Sequence, residues 1–225
     1  GVVVVARPDG DAWSAAERWT PEALGEGARF GEALAIAGDL AVVGAPYTAG
    51  RGAVLIYERT PDGWRRSARI DAPEGDEGAA FGHAVATDGD TVVVGAPFLD
   101  TVERDEGAAY LYERDGERWT LRNRFTAPEP GRGDELGHAV AIAGELVLIA
   151  APRHDADADD AGSVFVVRRG ADGWVADGRL ERPAPDVYDE FGRALAAHDG
   201  RAVVGVPDDV PEGAEVDSGS VVVYR

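Results

Sequence analysis

One period governs this chain. Phe30-Gly31, Phe81-Gly82, Leu136-Gly137 and Phe191-Gly192 step by 51, 55 and 55 residues. Gly44-Ala45-Pro46, Gly95-Ala96-Pro97, Ala150-Ala151-Pro152 and Gly205-Val206-Pro207 step identically, as do Trp13, Trp64, Trp119 and Trp174. A recurrence of this length means supersecondary units that stack on one another, each burying a face it cannot bury alone.

Within each unit the sequence predicts four short strands, in the first copy roughly 31–37 (Gly to Ala), 40–46 (Leu to Pro), 52–59 (Gly to Arg) and 64–70 (Trp to Ile). Gly38-Asp39, Asp88-Gly89-Asp90, Gly144-Glu145 and Asp199-Gly200-Arg201 are hairpin turn residues between first and second strands. Asp62-Gly63, Asp115-Gly116 and Asp172-Gly173 do the same between third and fourth. The second strands, such as Thr91-Val92-Val93-Val94 and Leu146-Val147-Leu148-Ile149, are apolar without alternation. A strand reads that way when both faces of its sheet are covered. The expected fold is therefore all-β: a β-propeller of four-stranded antiparallel blades, with the Phe or Leu of each anchor wedged between neighbours.

Phe-Gly followed about a dozen residues later by Gly-Ala-Pro resembles the FG-GAP repeat of the integrin α-subunit β-propeller. The run from Gly82-His83-Ala84-Val85 to Gly95-Ala96-Pro97, then Gly107-Ala108-Ala109-Tyr110-Leu111-Tyr112-Glu113-Arg114, is closer still to prokaryotic FG-GAP repeat proteins. The resemblance spans essentially all 225 residues. It implies a propeller, often seven-bladed when complete, with roles in surface recognition. Integrin-type repeats carry a calcium loop between first and second strands. Here that connection is a bare turn in all four copies, so those calcium sites do not carry over.

The expected organisation is one repeat array: 1–29 as third and fourth strands of a preceding blade, then repeats at 30–80, 81–135 and 136–190, and an incomplete fourth at 191–225. That count, with no Met anywhere in the chain, suggests about four blades of a larger propeller. In a closed four-bladed ring, the alternative, the Trp13 strand would complete the last blade.

Charge is the second strong signal. There are 42 acidic residues against 22 basic ones, a net charge of −20, and every basic residue is Arg. Salt at ~1 M shortens the Debye length to about 3 Å, so such self-repulsion suits a high-salt organism. No basic stripe is available for a phosphate backbone, which argues against nucleic acid. No apolar run approaches the ~20 residues of a membrane span. With no cysteine, disulfides and thiolate chemistry are excluded.

Asp155, Asp157, Asp159 and Asp160 lie in the loop between second and third strands of the third repeat. Alternating aspartates offer hard oxygens suited to Ca²⁺, although no glutamate closes the set. In a chain this acidic the same run also reads as a solvated charge cluster. Glu32, His83, His138 and Arg193 follow the four anchors and line the expected channel mouth. Arg132-Gly133-Asp134 spells a tripeptide that some integrins recognise, but Asp134 belongs to an Asp-Glu-x-Gly pattern repeated at Asp189, and coincidence explains it better.

No nucleophile elbow, phosphate loop or zinc-protease helix is present. The expected function is non-enzymatic recognition or adhesion, in a secreted or cell-surface protein, of a protein or glycan ligand held by the blade loops. A structural spacer in an envelope protein is the alternative. A polysaccharide-acting domain using the channel-mouth residues is a more distant one.

Overall fold

The computed structural model describes residues 1–21, 24–73, 77–155, 158–210 and 218–225. Five antiparallel sheets follow one another along the chain. β1 (Val3–Asp9) and β2 (Ala12–Trp19) form a hairpin. β3 (Leu34–Ala37), β4 (Leu40–Ala45), β5 (Ala53–Thr60) and β6 (Gly63–Asp71) form the first complete blade. β7 (Ala84–Thr87), β8 (Thr91–Ala96), β9 (Ala108–Asp115) and β10 (Arg118–Phe125) form the second. The third comprises β11 (Val140–Ala143), β12 (Leu146–Ala151), β13 (Ser163–Gly170) and β14 (Gly173–Leu180). β15 (Ala194–His198), β16 (Arg201–Val206) and β17 (Ser220–Tyr224) form a three-stranded sheet. In every complete blade spatial order equals chain order, and the short first strands β3, β7, β11 and β15 contact one another in succession. This is an all-β propeller of about four blades.

The first strand is shorter than the 31–37 segment expected. Arg29 and Gly31 both take positive φ (50° and 90°), and the Glu32 N–H donates to the Arg29 carbonyl at 3.0 Å. That closes a turn ahead of the strand, and the other copies repeat it with Ala80, Glu135 and Glu190 at positive φ. The regular ladder begins at Leu34, although the Gly31 amide and the Ala33 carbonyl already bond to Gly44 at 3.0 and 2.9 Å.

The unbroken apolar second strands have the burial their pattern predicts. β4 and β8 are buried at every position. Alternate residues face opposite neighbours: Ala41 and Val43 join a core shared with β1 and β2, while Leu40 and Val42 join one shared with the second blade. Full burial of each valine contributes about 1.5–3 kcal/mol, and these strands share the inter-blade cores with third-strand residues such as Val54, Ile56, Tyr110 and Tyr112. The anchor rings are wedged as expected, with Phe81 and Phe191 fully buried and Leu136 1% exposed.

Glycine explains how closely the blades approach. A Cβ on Gly44 would lie 2.0 Å from the Gly82 carbonyl oxygen of the next blade, and one on Gly95 would lie 1.9 Å from that of Gly137. Main-chain bonds cross the same seam: the amides of Phe81, Leu136 and Phe191 donate to the carbonyls of Arg51, Glu106 and Ala161 at 2.9–3.0 Å. The two halves of the repeat motif therefore meet between neighbours, the glycine that opens one blade against the glycine that closes the second strand of the blade before.

Among the described residues β2 pairs only with β1, and β17 only with β16, so the Trp13 strand does not complete the last sheet. Apolar side chains are left uncovered at both ends: Leu34 and Ile36 on the face of the first complete blade that the two-stranded hairpin covers only in part, and Val203, Val221 and Val223 on the open face of the last sheet.

Candidate functional site

The turns that open the blades and the loops that end their second strands crowd one end of the stack. The longer loops share a backbone plan. In the loop 97–107 the Gly107 N–H donates to the Leu99 carbonyl, and in 152–162 the Gly162 N–H donates to the His154 carbonyl, both at 3.1 Å. Asp100 Oδ1 accepts from the Asp105 amide at 2.6 Å, and Asp155 Oδ1 from the Asp160 amide at 2.8 Å. Asp105 and Asp160 take the same left-handed conformation (φ 53° and 49°). Glu106 is buried and accepts from the amides of Val102 and Glu103 and the hydroxyl of Thr101. Part of the acidic charge thus shapes the loops from inside.

Of the four aspartates suggested as cation ligands, Asp157 lies outside the described residues. Asp155 spends one oxygen on the Asp160 amide. Asp159 is exposed, and its carbonyl accepts from the Tyr188 amide at 2.9 Å. Asp160 is partly buried, and that burial, reinforced by the Asp155 carboxylate, raises its pKa. Among the described residues no three His, Asp or Glu side chains are grouped as a metal ion would require.

The channel-mouth residues converge more than their spacing could indicate. The rings of His83 and His138 lie 5.0 Å apart. His138 Nδ1 is 3.0 Å from Glu135 Oε2, and Arg153 spans Glu135 and Glu190 at 3.1 and 3.2 Å. Arg193 then pairs with Glu190 at 3.1 Å. Glu32 stands apart from this ladder, 3.6 Å from Arg29. Burial depresses the His83 pKa, and the neighbouring His138 depresses it further. At Glu135 burial acts upward but is outweighed by the His138 hydrogen bond and the Arg153 guanidinium, leaving the carboxyl below its ordinary value. Each charge on this rim is matched by a neighbour, an arrangement suited to holding blades in register.

Glu135, Arg153 and Glu190 are the members that sequence reading missed. Their signal was the repeated acidic residue before the anchor, at Glu135 and Glu190, where the first two copies have Arg29 and Ala80. Asp134 is 2% exposed and accepts from the Gly131 amide at 2.7 Å, so the Arg-Gly-Asp tripeptide is not displayed as a ligand. Its repeat partner Asp189 is likewise buried, accepting from the Asp186 amide and from Arg182 at 2.6 Å.

Fold and repeat chemistry together define the class: a β-propeller whose blades are joined through paired Phe-Gly and Gly-Ala-Pro elements. The sequence profile described as FG-GAP repeat matches residues 13–57, 64–112 and 119–167, well over half of the chain. The chain belongs to the FG-GAP repeat family. No curated protein matches it in sequence. Among solved structures, the crystal structure of Saccharomyces cerevisiae Sqt1 is similar with a TM-score of 0.51 at 11% identity. That likeness covers 88% of this chain and 46% of Sqt1, and it concerns the fold alone.

Proposed function

We propose that this chain is a non-enzymatic recognition module of a secreted or cell-surface protein, binding a protein or glycan through its second-to-third-strand loops. The observation that carries this reading is the common construction of loops 97–107 and 152–162. The Asp100 and Asp155 caps and the backbone bonds match, while Glu106 of the first loop is replaced by Ala161 in the second and exposed residues such as Val102, Glu103 and Asp159 differ. A constant frame with variable exposed groups is how recognition loops are carried on a rigid scaffold. Among the described residues no helix is long and apolar enough to cross a membrane. The same reading sets these blades in a larger ring, supported by apolar side chains left uncovered at both ends, Leu34 and Ile36 beside the two-stranded hairpin and Val221 and Val223 on the last sheet.

The test replaces residues 98–106 and 153–161 with the five-residue connection 47–51 of the first repeat. Wild type and graft are compared on a glycan array and in capture from a cell-surface extract, each with and without Ca²⁺. The graft is expected to keep its β-sheet circular dichroism and to lose whatever wild type captures. Equal capture by the two proteins would remove the loops from the proposal. A signal that needs Ca²⁺ only in wild type would bring the cation into it.

A further inference from the structure

Three of the four inter-blade seams share a ring pair. Phe30 meets Tyr57 with centroids 6.4 Å apart, Phe81 meets Tyr112 at 6.3 Å, and Phe191 meets Tyr224 at 6.1 Å. At the seam between second and third blades both rings are missing, because the corresponding residues are Leu136 and Val167. Neighbouring positions shrink as well. Tyr110 and Leu121 of the second blade correspond to Phe165 and Ala176 of the third, and Asn123 to Gly178.

The result is an open cleft of about 390 Å³, within the usual range of about 300–1,000 Å³ for small-molecule sites. Its lining is mostly apolar, contributed by Phe125, Leu136, Ile149, Phe165 and Val167. His154, 7% exposed, adds a polar edge where the second repeat has Leu99, and its Nδ1 lies 3.2 Å from Ser163 Oγ.

The missing tyrosine indicates the ligand's chemistry. At the next seam the Tyr224 hydroxyl donates to the carbonyl of Glu181, the residue after β14, at 2.6 Å. The equivalent residue after β10 is Thr126, which lines the cleft. No tyrosine hydroxyl of the third blade reaches that carbonyl, because position 167 is valine. We propose that the cleft between the second and third blades binds a neutral phenolic small molecule. Its ring takes the place of the absent aromatic pair, and its hydroxyl donates to the Thr126 carbonyl. The site shares His154 with the loop 152–162 and otherwise lies in the seam between the blades, so the proposal does not depend on the loops' role in recognition.

The test uses the full chain, p-cresol as the probe and toluene as the control lacking a hydroxyl. Methyl-labelled protein is titrated and followed by NMR. Saturable shifts are expected at the methyls of Leu136, Ile149 and Val167, with toluene about tenfold weaker, the worth of one ordinary hydrogen bond. Leu136→Phe with Val167→Tyr should restore the ring pair, raise Tm and abolish p-cresol binding. Should that double variant fail to fold, Ala176→Leu narrows the cleft from its outer strand and should weaken p-cresol severalfold. The proposal is overturned by the absence of saturable shifts, by equal binding of toluene and p-cresol, or by p-cresol affinity unchanged in a folded cleft-filling variant.

Discussion

At the scale of single residues, Gly107 shows why the spacing between motifs is so rigid. Its φ is +79°, and a Cβ there would lie 2.3 Å from the carbonyl oxygen and 2.5 Å from the amide nitrogen of Leu136. Gly52 and Gly162 face the anchors Phe81 and Phe191 in the same way. Gly107→Ala should therefore cost at least about 2 kcal/mol, since strain and a backbone clash act together. Gly116→Ala, at φ +64° with no neighbour in reach, should cost about 1 kcal/mol from backbone conformation alone. Urea unfolding of the two variants checks the contrast; equal midpoints would mean the seam yields without cost. Both glycines were legible as turn or strand-opening residues in the sequence. Only the structure separates them, because the atom that Gly107 must avoid lies 29 residues further along the chain.

At the scale of elements, the periodic tryptophans share a place in the repeat and differ in surroundings. Trp174, on β14, is 4% exposed, joins the core between second and third blades, and donates from Nε1 to Glu113 of the preceding blade at 3.0 Å. Trp13, on β2, is 72% exposed. Trp174→Ala should destabilise by about 3–5 kcal/mol, whereas Trp13→Ala should stay within about 0.5 kcal/mol. Chemical unfolding followed by far-ultraviolet circular dichroism would show it, and a small effect at Trp174 would mean its ring adds little to the seam. Equal spacing thus does not mean equal packing: Trp174 is buried, Trp64 and Trp119 are half-buried, and Trp13 is exposed. An outer-strand tryptophan packs back on the blade before its own, and β1–β2 has no such blade in this structure. β16 makes the corresponding point at the other end. Ala202, Val204 and Val206 are buried against the third blade, while Val203 is 40% exposed on a face without a neighbour.

For the whole molecule, the net charge of −20 acts on every blade at once. Many ion pairs are solvent-facing, such as Arg69–Asp71 and Arg168–Asp177, and exposed pairs contribute only about 0–1 kcal/mol each. They do not offset a surplus of twenty negative charges. Raising NaCl from 0.1 M to 2 M should therefore raise Tm, because the screening length falls from about 10 Å to below about 3 Å. Differential scanning fluorimetry across that range is the measurement. A flat or falling Tm would show that repulsion contributes little to the balance.

Local chemistry decided what could be read from the chain by itself: the period, the strand and turn segments, the doubly covered second strands and the anchors at the seams. Those depend on residues a few positions apart, and hydrophobic patterning with positive-φ glycine carries them, apart from the turns at Arg29, Ala80, Glu135 and Glu190 that shorten the first strands. Tertiary structure alone decided which copy of a repeated residue is buried, that His83 and His138 meet, and that Leu136 and Val167 leave a cleft where other seams hold two rings. Each of these depends on what the adjacent blade places opposite, from a stretch of chain roughly fifty residues away, and burial is a property of that pairing rather than of either partner.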